Sequence, residues 1–383
     1  MSKVAILLIA FLLASCGGGR GGGSTPTNPI PSRINISVSG ASNGIFDPAP
    51  VNDGSGTLWM SFSVVDSSSN DPILPHISTR IASSTDDGLT WNADSVLPNT
   101  PSDLQVPDGS GGTLWATWHF EVSRLAYDAN AVDPNQRWKM FWHRYLEANV
   151  GGTGTRLFEH GWIGASTAPS PTGPWSPERK LFVGAGYDTN NNSTIGIPEY
   201  DLAALFPSTS DLGSCIAFTE PGIITNSSGV YISLKCATSG SGKVVLIKCD
   251  NELTSNSCTY IGDFIDDSEA AQFAPAGQSF SGFSATELIV SPTKTYLMLT
   301  PTESPGEIYR GCLVFEVEDL DSATLARSSN VPALTQRIEG VAGSFNGACG
   351  YVEGMSASGV IYSEHNDTAP QFRLFASKIR LPK

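Results

Sequence analysis

Ser84-Thr85-Asp86-Asp87-Gly88-Leu89-Thr90-Trp91 combines the residues that a tight turn between two strands requires. The carboxylate of Asp86 can accept hydrogen bonds from turn amides, and Gly88 can adopt a positive φ at little steric cost. The indole of Trp91 is large enough to pack the turn onto a neighbouring sheet. The stretch therefore predicts a β-hairpin with an ordered, packed tip.

A second pattern, a short segment followed by a strand, recurs along the chain on both sides of this hairpin. A short segment with a small or acidic residue leads to an aromatic and aliphatic strand at five places: residues 46–50 (FDPAP) before 58–62 (LWMSF), 119–122 (HFEV) before 138–142 (WKMFW), 219–222 (TEPG) before 230–234 (VYISL), 285–288 (ATEL) before 295–299 (TYLML), and 351–354 (YVEG) before 359–363 (GVIYS). Helical periodicity is rare, which indicates an all-β protein. Since one four-stranded sheet cannot bury both of its faces alone, five such repeats predict a five-bladed β-propeller over residues 33–383. A β-sandwich or two smaller all-β domains is the alternative.

Two stretches carry a resemblance to known propellers. Residues 84–91 resemble the Asp-box, a hairpin signature of sialidase-like blades. Residues 164–175 (GASTAPSPTGPW) are similar to a stretch of family 43 glycoside hydrolases, the arabinanases and xylosidases, which are five-bladed. The resemblance implies cleavage of glycosidic bonds in an oligo- or polysaccharide, with inversion.

The same resemblance implies three catalytic carboxyl groups. Family 43 enzymes place an aspartate base in a D-P motif of the first blade, a pKa-tuning aspartate in the second and a glutamate acid in an E-G-P motif of the third. Asp47 matches the base, Glu121 takes the place of the tuner, and Glu220 resembles the acid. The chain departs from the family in having glutamate at the tuner position and E-P-G at the acid.

Glycoside hydrolysis requires carboxyl groups for a chemical reason. Glycoside cleavage passes through an oxocarbenium-like state and needs one protonated and one ionised carboxyl group. A third carboxylate keeps the acid protonated through like-charge repulsion. A structural role is the alternative for Asp47, since an aspartate before proline commonly turns the chain, whereas Glu220 beside Pro221 has no obvious structural duty.

Further residues are candidates for substrate binding. Trp118 and His119 could form a sugar platform, while Glu287 and Glu353 hold equivalent places in the fourth and fifth repeats. No cofactor is predicted, although a funnel lined with acids would suit a central cation such as calcium. A non-catalytic propeller that binds carbohydrate or protein, and a sialidase-like enzyme, are the competing functions.

Charge and the first residues bear on partners and location. The net charge is −15 with no basic run, which argues against nucleic acid as a partner. Residues 1–15 read as a signal peptide, because their apolar run is too short to span a bilayer permanently. Leu13-Ala14-Ser15-Cys16 resembles the bacterial lipobox, which implies lipidation of Cys16, and residues 16–32 read as a flexible tether. The sequence predicts a monomeric cell-envelope lipoprotein of the outer membrane, facing the periplasm or the cell surface.

Six further cysteines remain, an even number that suggests disulfides in an exported protein. Local bridges are favoured for Cys215 with Cys236 and for Cys249 with Cys258, which leaves Cys312 with Cys349. A zinc site is the rival interpretation, but no C-x-x-C spacing occurs and the five histidines are scattered.

Overall fold

The computed structural model describes residues 33–40, 44–66, 69–96, 100–108, 110–183, 211–254, 257–303, 308–339, 344–366 and 369–381. The predicted signal peptide, Cys16 and the predicted tether lie outside them. Three short 3-10 helices are Pro134–Gln136, Asp211–Ser214 and Asp267–Phe273. Within these ranges no helix has the length and apolar character needed to span a membrane.

Almost all regular structure is β. The strands in chain order are β1 (Ile34–Asn35), β2 (Ser37–Ser39), β3 (Ile45–Asn52), β4 (Leu58–Asp66), β5 (His76–Ser84), β6 (Thr90–Val96), β7 (Ser102–Pro107), β8 (Thr113–Tyr127), β9 (Trp138–Val150), β10 (Thr153–Ala168), β11 (Arg179–Val183), β12 (Ala217–Asn226), β13 (Gly229–Ala237), β14 (Lys243–Cys249), β15 (Thr259–Asp266), β16 (Phe280–Val290), β17 (Thr295–Glu303), β18 (Ile308–Tyr309), β19 (Cys312–Asp319), β20 (Thr324–Leu325), β21 (Arg327–Ser328), β22 (Val331–Pro332), β23 (Leu334–Ile338), β24 (Phe345–Gly350), β25 (Ile361–Asn366) and β26 (Ala369–Ala376).

The strands form five large sheets around one axis. Their orders are β3-β4-β5-β6-β2, β7-β8-β9-β10-β11, β12-β13-β14-β15, β16-β17-β19-β20 and β24-β25-β26-β1, and β18 and β23 join the fourth sheet. The innermost strands β3, β8, β12, β16 and β24 each contact the next, and β24 contacts β3. This closed ring confirms the five-bladed β-propeller.

The two ends of the chain meet in the fifth and first sheets. Strand β1 pairs antiparallel with β26 and so completes the fifth sheet. Strand β2 follows at once and pairs in parallel with β6, the edge of the first sheet. Residues near the start of the described chain therefore join the last blade to the first.

Each innermost strand is interrupted by a bulge at a corresponding point. The register shifts fall at residues 46–49, 121–124, 219–222, 284–286 and 347–350. Every bulge contains a non-glycine residue with positive φ: Asp47 (54°), Val122 (49°), Glu220 (56°), Ala285 (27°) and Ala348 (49°). Such a conformation costs each L-residue about 1–2 kcal/mol, so five occurrences indicate a repeated and supported device.

Three disulfides hold the later blades, and they are the pairs expected from the sequence. Cys215 bonds Cys236 and Cys249 bonds Cys258, both within or beside the third sheet. The bond between Cys312 of β19 and Cys349 of β24 links the fourth sheet to the fifth.

The hairpin at residues 84–91 joins β5 to β6. Asp86 Oδ1 accepts a 2.9 Å hydrogen bond from the Thr90 amide, and Asp86 Oδ2 accepts one of 2.6 Å from the Thr90 hydroxyl. Gly88 has a φ of 82°, and its carbonyl accepts a 3.0 Å bond from Nε1 of the buried Trp91. The turn is thus ordered by its own side chains.

The second sheet is taller than the others. Strands β8, β9 and β10 contain 15, 13 and 16 residues, and β7 pairs with the first part of β8 only, from Thr113 to Trp118. Because the first part of β8 precedes its bulge, this extension rises on the face where the innermost strands begin. It forms a wall beside the axis.

Candidate active site

Three carboxyl groups from three blades meet at the bulges of the innermost strands. Asp47 lies on β3, Glu121 on β8 and Glu220 on β12, and we call them the acid cluster. Asp47 and Glu121 both raise the pKa of Glu220, and Glu121 raises that of Asp47, so their charges interact. The residues are 74 and 99 positions apart along the chain, and the ring closure brings them together.

Asp47 is fixed by two serine hydroxyls from two different blades. Its amide donates a 2.9 Å hydrogen bond to Ser363 Oγ on β25 of the preceding blade. Its Oδ2 accepts a 3.0 Å bond from Ser63 Oγ on β4. The Ser63 oxygen in turn accepts a 3.1 Å bond from the Val122 amide of the next blade. The backbone strain at the bulge is thus offset by satisfied buried donors.

The same support recurs at the fifth blade. The amide of Ala348, the positive-φ residue of β24, donates a 2.8 Å bond to Thr300 Oγ1 on β17 of the fourth blade. Ser63, Thr300 and Ser363 all lie on the second strand of a blade and hold the bulge of the blade that follows. A hydroxyl on the second strand is therefore a structural requirement of three of the five described junctions.

Glu220 is held by its backbone, while its carboxyl group is left without a described partner. Its carbonyl accepts a 2.7 Å bond from Thr286 Oγ1 on β16. Oε2 is buried and finds no hydrogen-bond partner among the residues that the structure describes. An unsatisfied buried carboxyl oxygen is costly when ionised, so this environment favours the protonated form of Glu220.

Close contact between the third and fourth blades depends on Gly222. A β-carbon at this position would lie 2.5 Å from Ser233 Oγ and 2.9 Å from the Cα of Glu287. Only glycine lets β12 approach β16 this closely. The glycine of the E-P-G motif therefore sets the distance between Glu220 and the fourth blade.

The electrostatics keep protons within the acid cluster near neutral pH. Burial first, and then Glu121, raise the pKa of Asp47 to about 7, against the opposing effects of Arg124 and the Ser63 hydrogen bond. Burial first, and then Asp47 and Glu121, raise the pKa of Glu220 to about 8.

A buried ion pair crosses the interior beside the cluster. Arg124 of β8 is 1% exposed, and its Nε lies 2.5 Å from Glu287 Oε2 on β16. Its NH2 also donates a 3.2 Å bond to the Thr286 carbonyl. Arg124 lowers the pKa of both Asp47 and Glu220, so the cation lies within reach of them all.

Glu287, predicted to bind substrate, is thus engaged by Arg124. Burial raises the pKa of Glu287 to about 7, and Arg124 opposes that rise. Within the described ranges no group of three or more His, Cys, Asp and Glu side chains is arranged to hold a metal ion.

The wall of the second sheet places an aromatic and imidazole group beside Glu121. His119 is fully buried, its Nε2 lies 2.9 Å from Glu147 Oε2, and its ring stacks on Tyr145 with centroids 5.0 Å apart. Burial first, and then the charge of Glu121, raise the pKa of the Tyr145 hydroxyl well above its ordinary value. His119 therefore supports Tyr145 beside the cluster.

Trp118 and Glu353 lie away from the acid cluster. Trp118 is 7% exposed and packs against Trp162, with centroids 5.0 Å apart, in the core of the second sheet. Glu353 follows the end of β24, and its carbonyl accepts a 2.9 Å bond from Asn52 at the far end of β3. The innermost strand of the fifth blade carries Ala348 at the position that corresponds to Asp47.

Sequence reasoning overlooked Arg124, Tyr145 and the serines at 63 and 363. A charged residue inside an otherwise apolar run, as in residues 120–127 (FEVSRLAY), was the available signal for Arg124. Serines on strands are too common to signal a role. Their importance appears only when neighbouring blades are assembled.

The arrangement is that of a five-bladed β-propeller with a cluster of protonatable carboxyl groups on its axis. The chain is similar in fold to an arabinanase from Bacillus subtilis (12% identity, 88% of this chain and 94% of that one, TM-score 0.45). It is also similar to a family 43 endo-arabinanase from Bacillus licheniformis (11%, 88% and 95%, 0.47) and to a thermostable family 43 glycoside hydrolase (14%, 94% and 96%, 0.46). No family model matches the sequence, and no curated protein matches it either.

Proposed function

We propose that this protein is a glycoside hydrolase that cleaves glycosidic bonds in an oligo- or polysaccharide. The observation that carries the proposal is the acid cluster, in which Asp47 and Glu220 come from separate blades and both have raised pKa values. Glycoside cleavage needs one protonated and one ionised carboxyl group across the scissile bond. The buried Oε2 of Glu220, which has no partner among the described residues, supports a protonated carboxyl group at this place.

The roles follow the sequence motifs, and the raised pKa values supply the proton. Glu220, in the motif that resembles the acid of family 43, is the general acid, and it transfers to the departing glycosidic oxygen the proton that burial and like charges retain on it. Asp47 is the general base, which takes a proton from water as that water attacks the anomeric carbon. Glu121 adds the negative charge that keeps Glu220 protonated. This direct displacement by water inverts the anomeric configuration.

A row of aromatic side chains lies across the axis from the wall, and its chemistry favours a sugar as the ligand. Tyr309, Phe345, His365 and Phe372 are partly buried, and neighbouring rings in this series have centroids 5.4, 4.7 and 4.4 Å apart. Glu220 is among the charges that raise the pKa of Tyr309, which puts this row near the acid cluster. Flat apolar faces beside carboxyl groups suit the CH-rich faces of a sugar ring.

The test is release of reducing ends from a panel of plant and algal polysaccharides. Replacing Glu220 by Gln, or Asp47 by Asn, should lower the rate on any active substrate by about 10²–10⁴-fold. The exposed Glu318 provides a matched control, Glu318→Gln, which should behave as wild type. Retained activity in Glu220→Gln would remove Glu220 as the acid. Binding of glycans without any turnover would instead favour a non-catalytic carbohydrate-binding propeller.

The stereochemical course has its own measurement. Proton NMR taken early in the reaction should show the product with the anomeric configuration opposite to that of the substrate. Retention of configuration would contradict the role of Asp47 as a base acting through water.

We also propose that Cys16 is lipidated and anchors the protein in the cell envelope. Support comes from the Leu13-Ala14-Ser15-Cys16 motif after an apolar run. Cys16→Ser should move the protein from the membrane fraction to the soluble fraction and abolish incorporation of labelled palmitate. Unchanged membrane association would contradict the anchor.

A further inference from the structure

Arg156 differs from the other arginines near the axis in having an exposed side chain. It lies on β10 in the wall, directly opposite Glu147 of β9. Arg124 is paired with Glu287, and Arg144 lies 2.6 Å from Glu178. Among the residues that the structure describes, no carboxylate lies within 4.0 Å of Arg156, although Tyr145 first, and then Glu121 and Glu147, raise its pKa through their charges.

Arg156 is near the acid cluster through the strands of the wall, because its cross-strand partner Glu147 lies 2.9 Å from His119, two residues before Glu121 on β8. Its charge lowers the pKa of Glu220 and also that of His143 at the base of the wall. It acts on Tyr309, which belongs to the fourth sheet on the other side of the axis. The charge of Arg156 therefore acts on groups from the second, third and fourth blades.

The negative groups around Arg156 bear on the charge of the ligand that it can bind. The acid cluster and Glu147 are negative or protonatable, and the protein as a whole carries a net charge of −15. Arg124 is already engaged by Glu287, so an anionic sugar would meet mainly the repulsion of the acid cluster and of Glu147 unless Arg156 contacts it. The guanidinium presents a planar pair of donors that matches a carboxylate or a sulfate.

We propose that Arg156 binds the anionic group of an acidic sugar, so that the substrate is a glycan bearing uronate carboxylates or sulfate esters. The inference rests on the proposed function and specifies the substrate class of the same site. Arg156 offsets the repulsion between such a glycan and the acid cluster.

Binding to matched glycans tests this inference without relying on turnover. Titration calorimetry with the Glu220→Gln protein would compare oligogalacturonides, oligoglucuronides and oligomannuronates with their carboxyl-reduced counterparts, which keep the ring and the linkage. A second arm would compare carrageenan oligosaccharides with the desulfated forms. We expect one charged series to bind at least about tenfold more tightly than its neutral partner.

Substitution at Arg156 then assigns the preference. Arg156→Gln should abolish it and leave binding of the neutral partner within about twofold, while Arg156→Lys should retain part of it. Arg327→Gln, which removes the same charge from an exposed position on β21, is the control and should retain all of it. Equal binding of charged and neutral glycans, or a preference that survives Arg156→Gln, would overturn the inference alone. Failure of every glycan to bind would overturn the proposed function as well.

Discussion

The substitution Glu220→Gln should alter how protein stability depends on pH, whatever the substrate is. The pKa of Glu220 rises from 4.5 to about 8 in the folded protein because the group is buried and lies near Asp47 and Glu121. Between these values the folded protein holds a proton that the unfolded chain has released. Stability is therefore highest at the low end of this range and falls as the pH rises towards 8.

The size of the effect follows from proton linkage. One proton bound only by the folded state changes the free energy of unfolding by about 1.4 kcal/mol per pH unit. Between pH 6 and 8, allowing for the half-titrated state at the upper limit, Glu220 should account for a loss of about 2 kcal/mol. Glutamine has nearly the same shape as protonated glutamate and does not titrate, so the variant should lack this loss.

Urea denaturation at pH 6, 7 and 8 measures the difference. Glu220→Gln should already be more stable than wild type at pH 6, because the unfolded wild-type chain has released this proton by then, and the difference should widen by about 2 kcal/mol between pH 6 and pH 8. Glu318→Gln, at an exposed position, should follow wild type throughout. Parallel curves for wild type and Glu220→Gln would refute the view that folding confines a protonated carboxyl group at this position.

Three further predictions concern how the ring is held together. Ser363→Ala removes the acceptor of the 2.9 Å hydrogen bond from the buried Asp47 amide, so the free energy of unfolding measured in urea should fall by about 1–3 kcal/mol, and activity should fall as well. Unchanged stability would contradict the conclusion that Ser363 stabilises the bulge at Asp47. Gly350→Val places a β-carbon 2.2 Å from the carbonyl oxygen of Pro48 in the first blade, so the melting temperature should drop sharply. The control is Gly240→Val, in which no atom lies within 4 Å of the added β-carbon, and its melting temperature should equal that of wild type. Replacing both Cys312 and Cys349 by alanine removes a crosslink that spans 37 residues and restrains the unfolded chain, so the free energy of unfolding should fall by about 4 kcal/mol. A loss below about 1 kcal/mol would show that removing the crosslink gives the unfolded chain little additional conformational entropy.

The fold and two of the principal acids could be predicted from the sequence because both depend on local patterns. Turn chemistry and strands of alternating character identify blades, and motifs beside proline identified Asp47 and Glu220 at bulges of the innermost strands. Glu121 was placed correctly within its blade although Val122, one residue later, holds the positive φ. Local sequence motifs predict positions in the folded protein when every blade repeats the same local geometry.

The fifth blade shows what sequence patterns could not supply. An acid followed by glycine and an apolar strand directed attention to Glu353, but the innermost strand is the earlier Phe345–Gly350, which contains no acid. Small residues are used there because Gly347 and Gly350 pass close to Thr300 and Pro48 of the neighbouring blades. Contacts between blades depend on all five being in place, so no single repeat reveals them.

The bulges also bear on how such a protein can change its chemistry. Val122, Ala285 and Ala348 hold the corresponding places in the bulges and also have a positive φ, but they carry no titratable group. Because these positions share the bulge of Asp47 and Glu220, a single-residue replacement there is the simplest way to add a functional group near the axis without remodelling a loop. Fivefold pseudosymmetry thus leaves reserve positions in which new specificity can evolve or be engineered while the existing acids stay in place.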